Sequence, residues 1–266
     1  MSTKERMRMR LERRHSPSVN LQVKSHRDPQ VRKNAVIDCG WGRLLFAQTF
    51  EDPAELVSSL CDEEANRRDI VLYVAEPHVA VSLAPQEVFL DPSHTFRLWL
   101  DRYRPAHLRA RGFTIRLMNS RADAEAVHKL YIRRHMVPPD TDFLVGHRAS
   151  RLLTYLIAED AESGKIIGTV MGVDHKNAFG DPERGTSLWA LAVDPQASVP
   201  GIGQALVRHL AEHYQARGRA YMDLSVMHDN TQAIRLYEKL GFERVPVFAL
   251  KHKNPWNEPL FMGSDV

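Results

Sequence analysis

The feature that most limits how this chain can fold is a strand, a loop and a helix joined through two glycines. Residues 186–194 are apolar enough for a buried strand, which Pro195 ends. Gly201 and Gly203 follow, and an amphipathic helix begins at about Gly203. Because the first turn of a helix carries unpaired N–H groups and the positive end of the dipole, this junction suits a pyrophosphate. A simple tight turn before a helix is the other explanation of the same glycines.

Two widespread phosphate-binding motifs are excluded. No Gly-Lys-Ser or Gly-Lys-Thr follows the glycines, so this is not a Walker A loop. Only two glycines fit a Rossmann fingerprint, and no acidic residue ends the next strand where that fingerprint needs one.

The composition is that of a globular protein. The 266 residues include 36 Lys and Arg, 33 Asp and Glu, and 43% hydrophobic residues, which excludes a disordered, collagen-like or coiled-coil chain. Cys39 and Cys61 are the only cysteines and lack metal-ligand spacing, so we expect no metal, no disulfide scaffold and a reducing compartment. No apolar stretch reaches the roughly 20 residues of a membrane span, and the N-terminus lacks a secretory apolar segment. We expect a cytoplasmic protein without membrane contact.

Positive charge is concentrated at the N-terminus. Residues 1–35 hold ten Lys or Arg and three acids, a net +7, whereas the remaining 26 basic and 30 acidic residues give −4. Such a segment binds nucleic acid or an anionic surface, or is simply a solvated, flexible tail. It has no aromatic residue to stack on bases, which disfavours nucleic-acid binding. We therefore predict that residues 1–35 are a solvated, flexible tail.

The pattern divides the rest of the chain into three parts. They are a small α/β unit over 36–110, a larger domain over 111–252 and a C-terminal tail over 253–266. In the small unit, the residue pattern predicts a strand over 41–50, a helix over 52–68 that begins with Asp52 and Pro53, and a strand over 69–75. Residues 94–103 are predicted to form a strand or a helix.

In the larger domain, the apolar pattern predicts, in order, a strand, a helix, three strands, a helix, a strand, a helix and a final strand over 244–251. Gly218 and Gly241 are expected to end the last two helices, and Asn230 or Thr231 to cap the second of them.

A second motif lies one helix after the glycine pair. Its spacing is N-x-x-A-x-x-x-Y-x-x-x-G-F, with the members Asn230, Ala233, Tyr237, Gly241 and Phe242. Together with the earlier segment, which has Leu191, Val193, Gly201 and Gly203, it resembles the GNAT superfamily of N-acetyltransferases. The resemblance covers about residues 113–251. It implies an α/β (α+β) fold with a mixed, mostly antiparallel sheet and flanking helices, preceded here by the small α/β unit.

The resemblance also implies roles for particular residues. Acetyl-CoA is the implied acyl donor, and Tyr237 the general acid towards its leaving thiolate. A core aromatic on an amphipathic helix is the other interpretation of Tyr237. The implied donor-binding residues are Leu191, Ala192 and Val193 for the pantetheine arm, Gly201, Ile202, Gly203, Gln204 and Ala205 for the pyrophosphate, and Asn230 and Ala233 beside the arm.

One stretch departs from the family pattern. Ser198 stands where the family usually has Arg or Gln, and Val199 and Pro200 replace the common Gly and Lys. Proline has no N–H to donate. One anion contact is therefore missing or differently placed.

Neither the general base nor the acceptor follows from the sequence. The candidates for the base are Glu159, Asp160, Asp174, His175 and His228, and a water relay is equally consistent. The cluster Arg133, Arg134 and His135 suits a substrate carboxylate, but cations are also favoured at a helix C-terminus.

A more specific resemblance comes from both ends of the chain. The segments "SPSVNLQVKSHRDP" and "LKHKNPWNEPLFMG" are similar to the acetyltransferase portion of the N-acetylglutaminylglutamine synthetase family. It implies a small-molecule amine acceptor, glutamine or glutaminylglutamine, in osmolyte synthesis. An ATP-grasp ligase or amidotransferase is the implied partner. Acetylation of a protein, a non-catalytic acyl-CoA-binding module and a homodimer stay open alternatives.

Overall fold

The structure, a computed structural model, describes residues 31–105 and 112–254. The basic tail up to residue 30, the boundary near residue 110 and most of the C-terminal tail lie outside these ranges. The strands are β1 Val36–Asp38, β2 Arg43–Phe46, β3 Ile70–Val74, β4 Val88–Leu90, β5 Ser93–Trp99, β6 Phe113–Leu117, β7 Leu153–Asp160, β8 Ile166–Asp174, β9 Gly185–Val193, β10 Tyr221–Met227, β11 Glu243–Val245 and β12 Phe248–His252. The helices are α1 Pro53–Cys61, α2 Pro77–Leu83, α3 Arg121–Arg133, α4 Thr141–His147, α5 His175–Phe179, α6 Ile202–Ala216 and α7 Thr231–Lys239.

The strands form two sheets. The first has the order β1-β2-β3-β12-β4, and the second has the order β11-β5-β10-β9-β8-β7-β6. Most neighbouring strands are antiparallel, but β2 with β3 and β9 with β10 are parallel. The expected α+β fold with a mixed, mostly antiparallel sheet is confirmed.

Each half of the chain contributes a strand to the other half's sheet. Strand β5 precedes residue 110, yet it pairs antiparallel with β10 along seven residues and also with β11. Strand β12, near the end of the larger domain, lies between β3 and β4. The domain boundary near residue 110 stays a prediction. Each sheet contains strands from both sides of this position.

Three apolar clusters hold the layers together. One packs α1 and α2 on the first sheet, and one packs α6 and α7 on the second. The third lies where the first sheet and α3 meet the second, and includes Trp41, Leu130 and Trp189. Burying one large apolar side chain stabilises the fold by about 1.5–3 kcal/mol, so this interface fixes the first sheet on the second.

The predicted helix starts and stops in the larger domain are confirmed. Helix α6 places Leu206, Leu210 and Tyr214 on one buried face and is followed by Gly218 at φ +69°. Asn230 caps α7 because its side-chain oxygen accepts from the N–H of Ala233 at 3.1 Å.

Several predicted elements were wrong in length. The strand over 41–50 stops at Phe46, because the Thr49 hydroxyl donates to the Phe46 carbonyl at 2.7 Å and closes a 3-10 turn. The helix over 52–68 begins at its Asp52 cap as expected but ends at Cys61. The residues that follow turn back instead, and Glu63 accepts the N–H of Asp69 at 2.6 Å.

Three short helices, α2, α4 and α5, and the short strands β1 and β4 were missed, and one strand was wrongly joined. Helices α4 and α5 are too short to show a helical repeat of apolar residues. The sequence features that could have predicted them are their N-cap residues, Asp140 and Asp174. The final strand over 244–251 is two strands in different sheets, separated at Pro246, which has no N–H for a ladder. The ambiguous segment 94–103 is a strand up to Trp99, as part of β5.

Within the described ranges, no helix is long and apolar enough to cross a bilayer.

Candidate active site

The central feature of the site is a gap between two parallel strands. Strands β9 and β10 pair only at their first residues, the last pair being Ser187 with Asp223. Beyond that pair β9 continues to Val193 and β10 to Met227, with no further ladder between them in the described chain. We call this opening the wedge. Its walls offer backbone N–H and C=O groups on which an extended ligand can lie as a strand would.

A bulge reshapes the β9 wall of the wedge. The pairing of β8 with β9 shifts register between Trp189 and Ala192, and Ala190 has φ +49°. The left-handed conformation costs a residue with a side chain about 1–2 kcal/mol. Tyr131 of α3 holds it, because its hydroxyl donates to the Ala190 carbonyl at 3.0 Å. Such strain at an open strand is typical of a functional position, and sequence reasoning missed it.

The predicted pyrophosphate site is the first turn of α6. Gly201 is its N-cap, with φ +84° and no side-chain cap, and the first helical bond runs from Ala205 N–H to the Gly201 carbonyl at 3.0 Å. The N–H groups of Ile202, Gly203 and Gln204 precede that bond and are open to a ligand. The Ile202 side chain is buried, so only its backbone can take part.

Glycine supplies the space that this turn needs. A Cβ on Gly168 of β8 would lie 2.7 Å from the Ile202 side chain, so Gly168 lets α6 approach the sheet. Among the residues that the structure describes, none beyond its chain neighbours lies within 4 Å of a Cβ added at Gly201, so the described chain leaves this helix end clear.

The predicted residues gather at one edge of the second sheet. Since β9 and β10 are parallel, the first turns of the helices that follow them, α6 and α7, lie at the same edge. Leu191, Ala192 and Val193 form the end of β9 beside this edge, and Asn230 and Ala233 begin α7. The Asn230 oxygen is already used in the helix cap, so its amide nitrogen is the group left for a ligand.

Tyr237 lies inward from this edge on α7. Its side chain is 6% exposed and packs with Phe242 at 5.6 Å between ring centroids. Burial raises the pKa of Tyr237 to about 12, so the phenol keeps its proton at neutral pH. This is the state a general acid needs, and a core aromatic would have the same burial.

The candidate bases differ in what already binds them. Glu159 accepts from Arg116 at 2.7 Å and Asp160 from the Ser163 hydroxyl at 2.7 Å. Asp174 is buried, caps α5 and pairs with Arg219 at 2.8 Å. His228 directly follows β10, a wall of the wedge.

Arg133 is also engaged, because it donates to Asp194 at 2.8 Å and ties α3 to the loop before α6. Arg134 and His135 beside it are exposed. A cleft of about 600 Å³ lies next to this loop, between α3 and the β7–β8 turn, and Ser198 lines it.

The closed end of the wedge contains a buried ion pair that the sequence analysis missed. Arg97 of β5 is fully buried and donates to both carboxylate oxygens of Asp223 at 2.7 Å. Tyr73 of β3 donates to the same carboxylate at 2.8 Å, and the Arg97 guanidinium lies 3.7 Å from the Tyr221 ring centroid. Charged residues inside two apolar strands were the available signal, because a buried charge needs a partner.

A second polar group lies on the other strand at this closed end. Ser187 accepts from Trp189 Nε1 at 2.7 Å, and His175 Nε2 lies 3.0 Å from the same hydroxyl. Burial lowers the pKa of His175 to about 3, with a further contribution from Arg97, so the imidazole is neutral. Being fully buried, it has no path to an acceptor amine, and it is therefore a structural group rather than the base.

Comparison with known proteins gives consistent results. A profile of the acetyltransferase (GNAT) family matches residues 107–242, half of the chain. The ribosomal protein bS18-alanine N-acetyltransferase of Escherichia coli is 27% identical over 125 residues, which is 47% of this chain and 78% of that protein. The mycothiol acetyltransferase of Saccharomonospora viridis is 37% identical over 94 residues, 34% of this chain and 30% of that protein.

Among solved structures, a GCN5-related N-acetyltransferase from Kribbella flavida superimposes with a TM-score of 0.52 at 15% identity. The match covers 91% of this chain and 96% of that one. The fold likeness thus extends over the first sheet as well as the second. From the family match, the two motifs and the wedge between them, the chain belongs to the acetyltransferase (GNAT) family and is an acetyl-CoA-dependent N-acetyltransferase.

Proposed function

We propose that this enzyme acetylates the α-amino group of a small amino acid or dipeptide, glutamine or glutaminylglutamine. The observation that carries the small-acceptor part is the covering of β9 by the first sheet. Trp41 lies 5.9 Å, ring centroid to ring centroid, from Trp189 of β9, and both side chains are buried. A site enclosed in this way favours a small amine over the surface of a folded protein.

Donor and acceptor are proposed to approach β9 from opposite faces. Leu188 packs with α6 and α7, whose first turns are the proposed donor site. Trp189, the next residue, points to the other face and packs with the first sheet and α3. An acceptor amine that approaches the thioester from this second face must enter between the first sheet and α3.

The chain's own groups then have the following proposed tasks. Acetyl-CoA supplies the acetyl group as a thioester. Open N–H groups on the β9 wall of the wedge stabilise negative charge on the carbonyl oxygen while the neutral amine attacks. Tyr237 gives its proton to the departing thiolate sulfur. The ammonium proton leaves to water or to His228, the candidate base that directly follows a wedge strand.

The glutamine-type acceptor rests on the resemblance of residues 16–29 and 250–263 to the N-acetylglutaminylglutamine synthetase family. In this proposal the product passes to an ATP-grasp ligase or amidotransferase and contributes to an osmolyte. We place the reaction in the cytoplasm, where the thiols of Cys39 and Cys61 stay reduced.

Acetylation of a protein N-terminus is the competing function, because the bS18-alanine enzyme is a relative. The deciding experiment measures thiol release from acetyl-CoA by the full chain. Glutamine, glutaminylglutamine, other amino acids and a peptide with N-terminal alanine are offered in parallel. Turnover confined to the glutamine compounds supports the proposal. Turnover of the alanine peptide alone overturns it in favour of protein acetylation.

A further inference from the structure

A cluster of three different metal-binding side chains lies on the first sheet, apart from the elements that form the wedge. Cys61 ends α1, Glu87 precedes β4 and His252 ends β12. Their thiol, carboxylate and imidazole ligand atoms all lie within 4.8 Å of one another. We propose that Cys61, Glu87 and His252 bind one Zn²⁺ ion.

The donor set fits zinc better than the other common protein metals. Zinc takes thiolate sulfur, imidazole nitrogen and carboxylate oxygen in a tetrahedron with bonds of about 2.0–2.3 Å. Magnesium and calcium bind oxygen ligands almost exclusively and leave thiols aside. Three protein ligands leave the fourth position to water, and Glu87 is exposed, so an ion can enter from solvent.

The backbone already holds two of the three ligands in place. His252 pairs with Val88 in the ladder between β12 and β4. The N–H of Lys253 donates to the Glu87 carbonyl at 2.6 Å. Because these bonds fix the positions from which Glu87 and His252 extend, binding an ion requires only side-chain adjustments.

A buried carboxylate lies beside the histidine. The Glu63 side chain is 3% exposed and its Oε1 lies 3.6 Å from His252 Nδ1. It is itself held by the Asp69 N–H at 2.6 Å and by the Asn254 amide. A carboxylate that accepts the free ring N–H of a metal-binding histidine orients the ring and raises its basicity, and Glu63 would take this role if the ring moved closer on binding the ion.

The Cys61 sulfur lies within 4.8 Å of a Glu87 carboxylate oxygen. Zinc would displace the thiol proton to solvent as the sulfur–metal bond forms. The ion would then join α1, the residues before β4, and β12, the strand of the first sheet that follows β11 of the second.

Cobalt(II) added to the chelator-treated full chain tests the site, because Co²⁺ reports thiolate ligation by a near-ultraviolet charge-transfer band. We expect one Co²⁺ per chain with this band, and its loss when Zn²⁺ is added. Cys61→Ser should abolish the band, whereas Cys39→Ala, at the other free cysteine, should keep it. Glu87→Gln changes an exposed residue, should leave the circular dichroism spectrum intact and should weaken Co²⁺ binding at least about tenfold.

Zinc should also stabilise the fold. At a free Zn²⁺ concentration about 100 times Kd, the unfolding equilibrium constant should fall about 100-fold in the unmodified chain. The fall should be much smaller at the same Zn²⁺ concentration in Glu87→Gln. The absence of a thiolate band in the unmodified chain overturns the proposal. So does a band that survives Cys61→Ser or disappears in a folded Cys39→Ala.

Discussion

The open and closed ends of the wedge are built in opposite ways. At the open end the groups proposed to face the ligand are backbone N–H groups, Gly201 and Gly203, and a helix cap at Asn230. At the closed end the polar groups are buried side chains that face no ligand, Arg97, Asp223 and His175, bonded to one another or to neighbours. The difference teaches that the proposed donor site is formed by backbone conformation, while the closed end is held by buried polar contacts that join β10 to β5 and β9 to α5.

The largest expected effect comes from the closed end. Asp223→Asn leaves the buried Arg97 guanidinium without its counter-charge. Removing one partner of a buried ion pair costs about 3–5 kcal/mol, so we expect the free energy of unfolding in denaturant to fall by that amount. Adding Arg97→Met should restore part of it. Lys33→Gln, which breaks the exposed pair with Glu51, should change stability by at most about 1 kcal/mol. An Asp223→Asn effect as small as the Lys33→Gln effect would refute the assigned role.

Tyr237→Phe tests the chemistry and should lower kcat about a hundredfold, because a general acid contributes about 10²–10⁴-fold. The KM for acetyl-CoA should change little, since the ring and its packing on Phe242 remain. Tyr214→Phe on α6 is the matched control, a buried tyrosine in the same apolar cluster. Equal kcat values for the two variants would mean that Tyr237 is a core aromatic only.

His175 should make the closed end sensitive to acid. Its folded pKa is lowered to about 3, whereas an unfolded histidine titrates near 6.5. The unfolded state therefore binds the proton more strongly, and stability falls as pH drops below about 6.5 by about 1.4 kcal/mol per unit. Between pH 7 and 5 the loss should reach about 2 kcal/mol.

His175→Gln removes this titration and keeps an amide near Ser187. The free energy of unfolding of the variant should therefore depend less on pH over the same interval. Parallel pH profiles of the two proteins would show that His175 is not the neutral buried group that its surroundings require.

The two ends also differ in how far the sequence predicts them. The open end depends on short motifs, so the α6 start, the Asn230 cap and the position of Tyr237 on a helix were all predictable. The closed end joins Arg97 to Asp223 across 126 residues and Tyr73 to Asp223 across 150. Such contacts form only because β5 pairs in the second sheet. Alternating apolar and polar residues predict a strand but not the strand with which it pairs. The Ala190 bulge has no local signal either, because Tyr131 holds it from another element.

The smallest expected effect separates the two glycines of the open end. Gly201 has φ +84°, so Gly201→Ala should cost about 1 kcal/mol of stability through backbone strain alone, although its surroundings are empty. Gly203 lies in the first turn of α6, and a Cβ there would meet the Val193 side chain at an ordinary 3.6 Å. Gly203→Ala should therefore leave stability unchanged or raise it by up to about 1 kcal/mol, since alanine favours helix.

Thermal unfolding of both variants measures this difference, and acetyl-CoA titration measures whether donor affinity follows it. If the open end works by conformation, Gly201→Ala should weaken donor binding more than Gly203→Ala. The opposite order would mean that steric clearance at Gly203 matters more than the turn at Gly201.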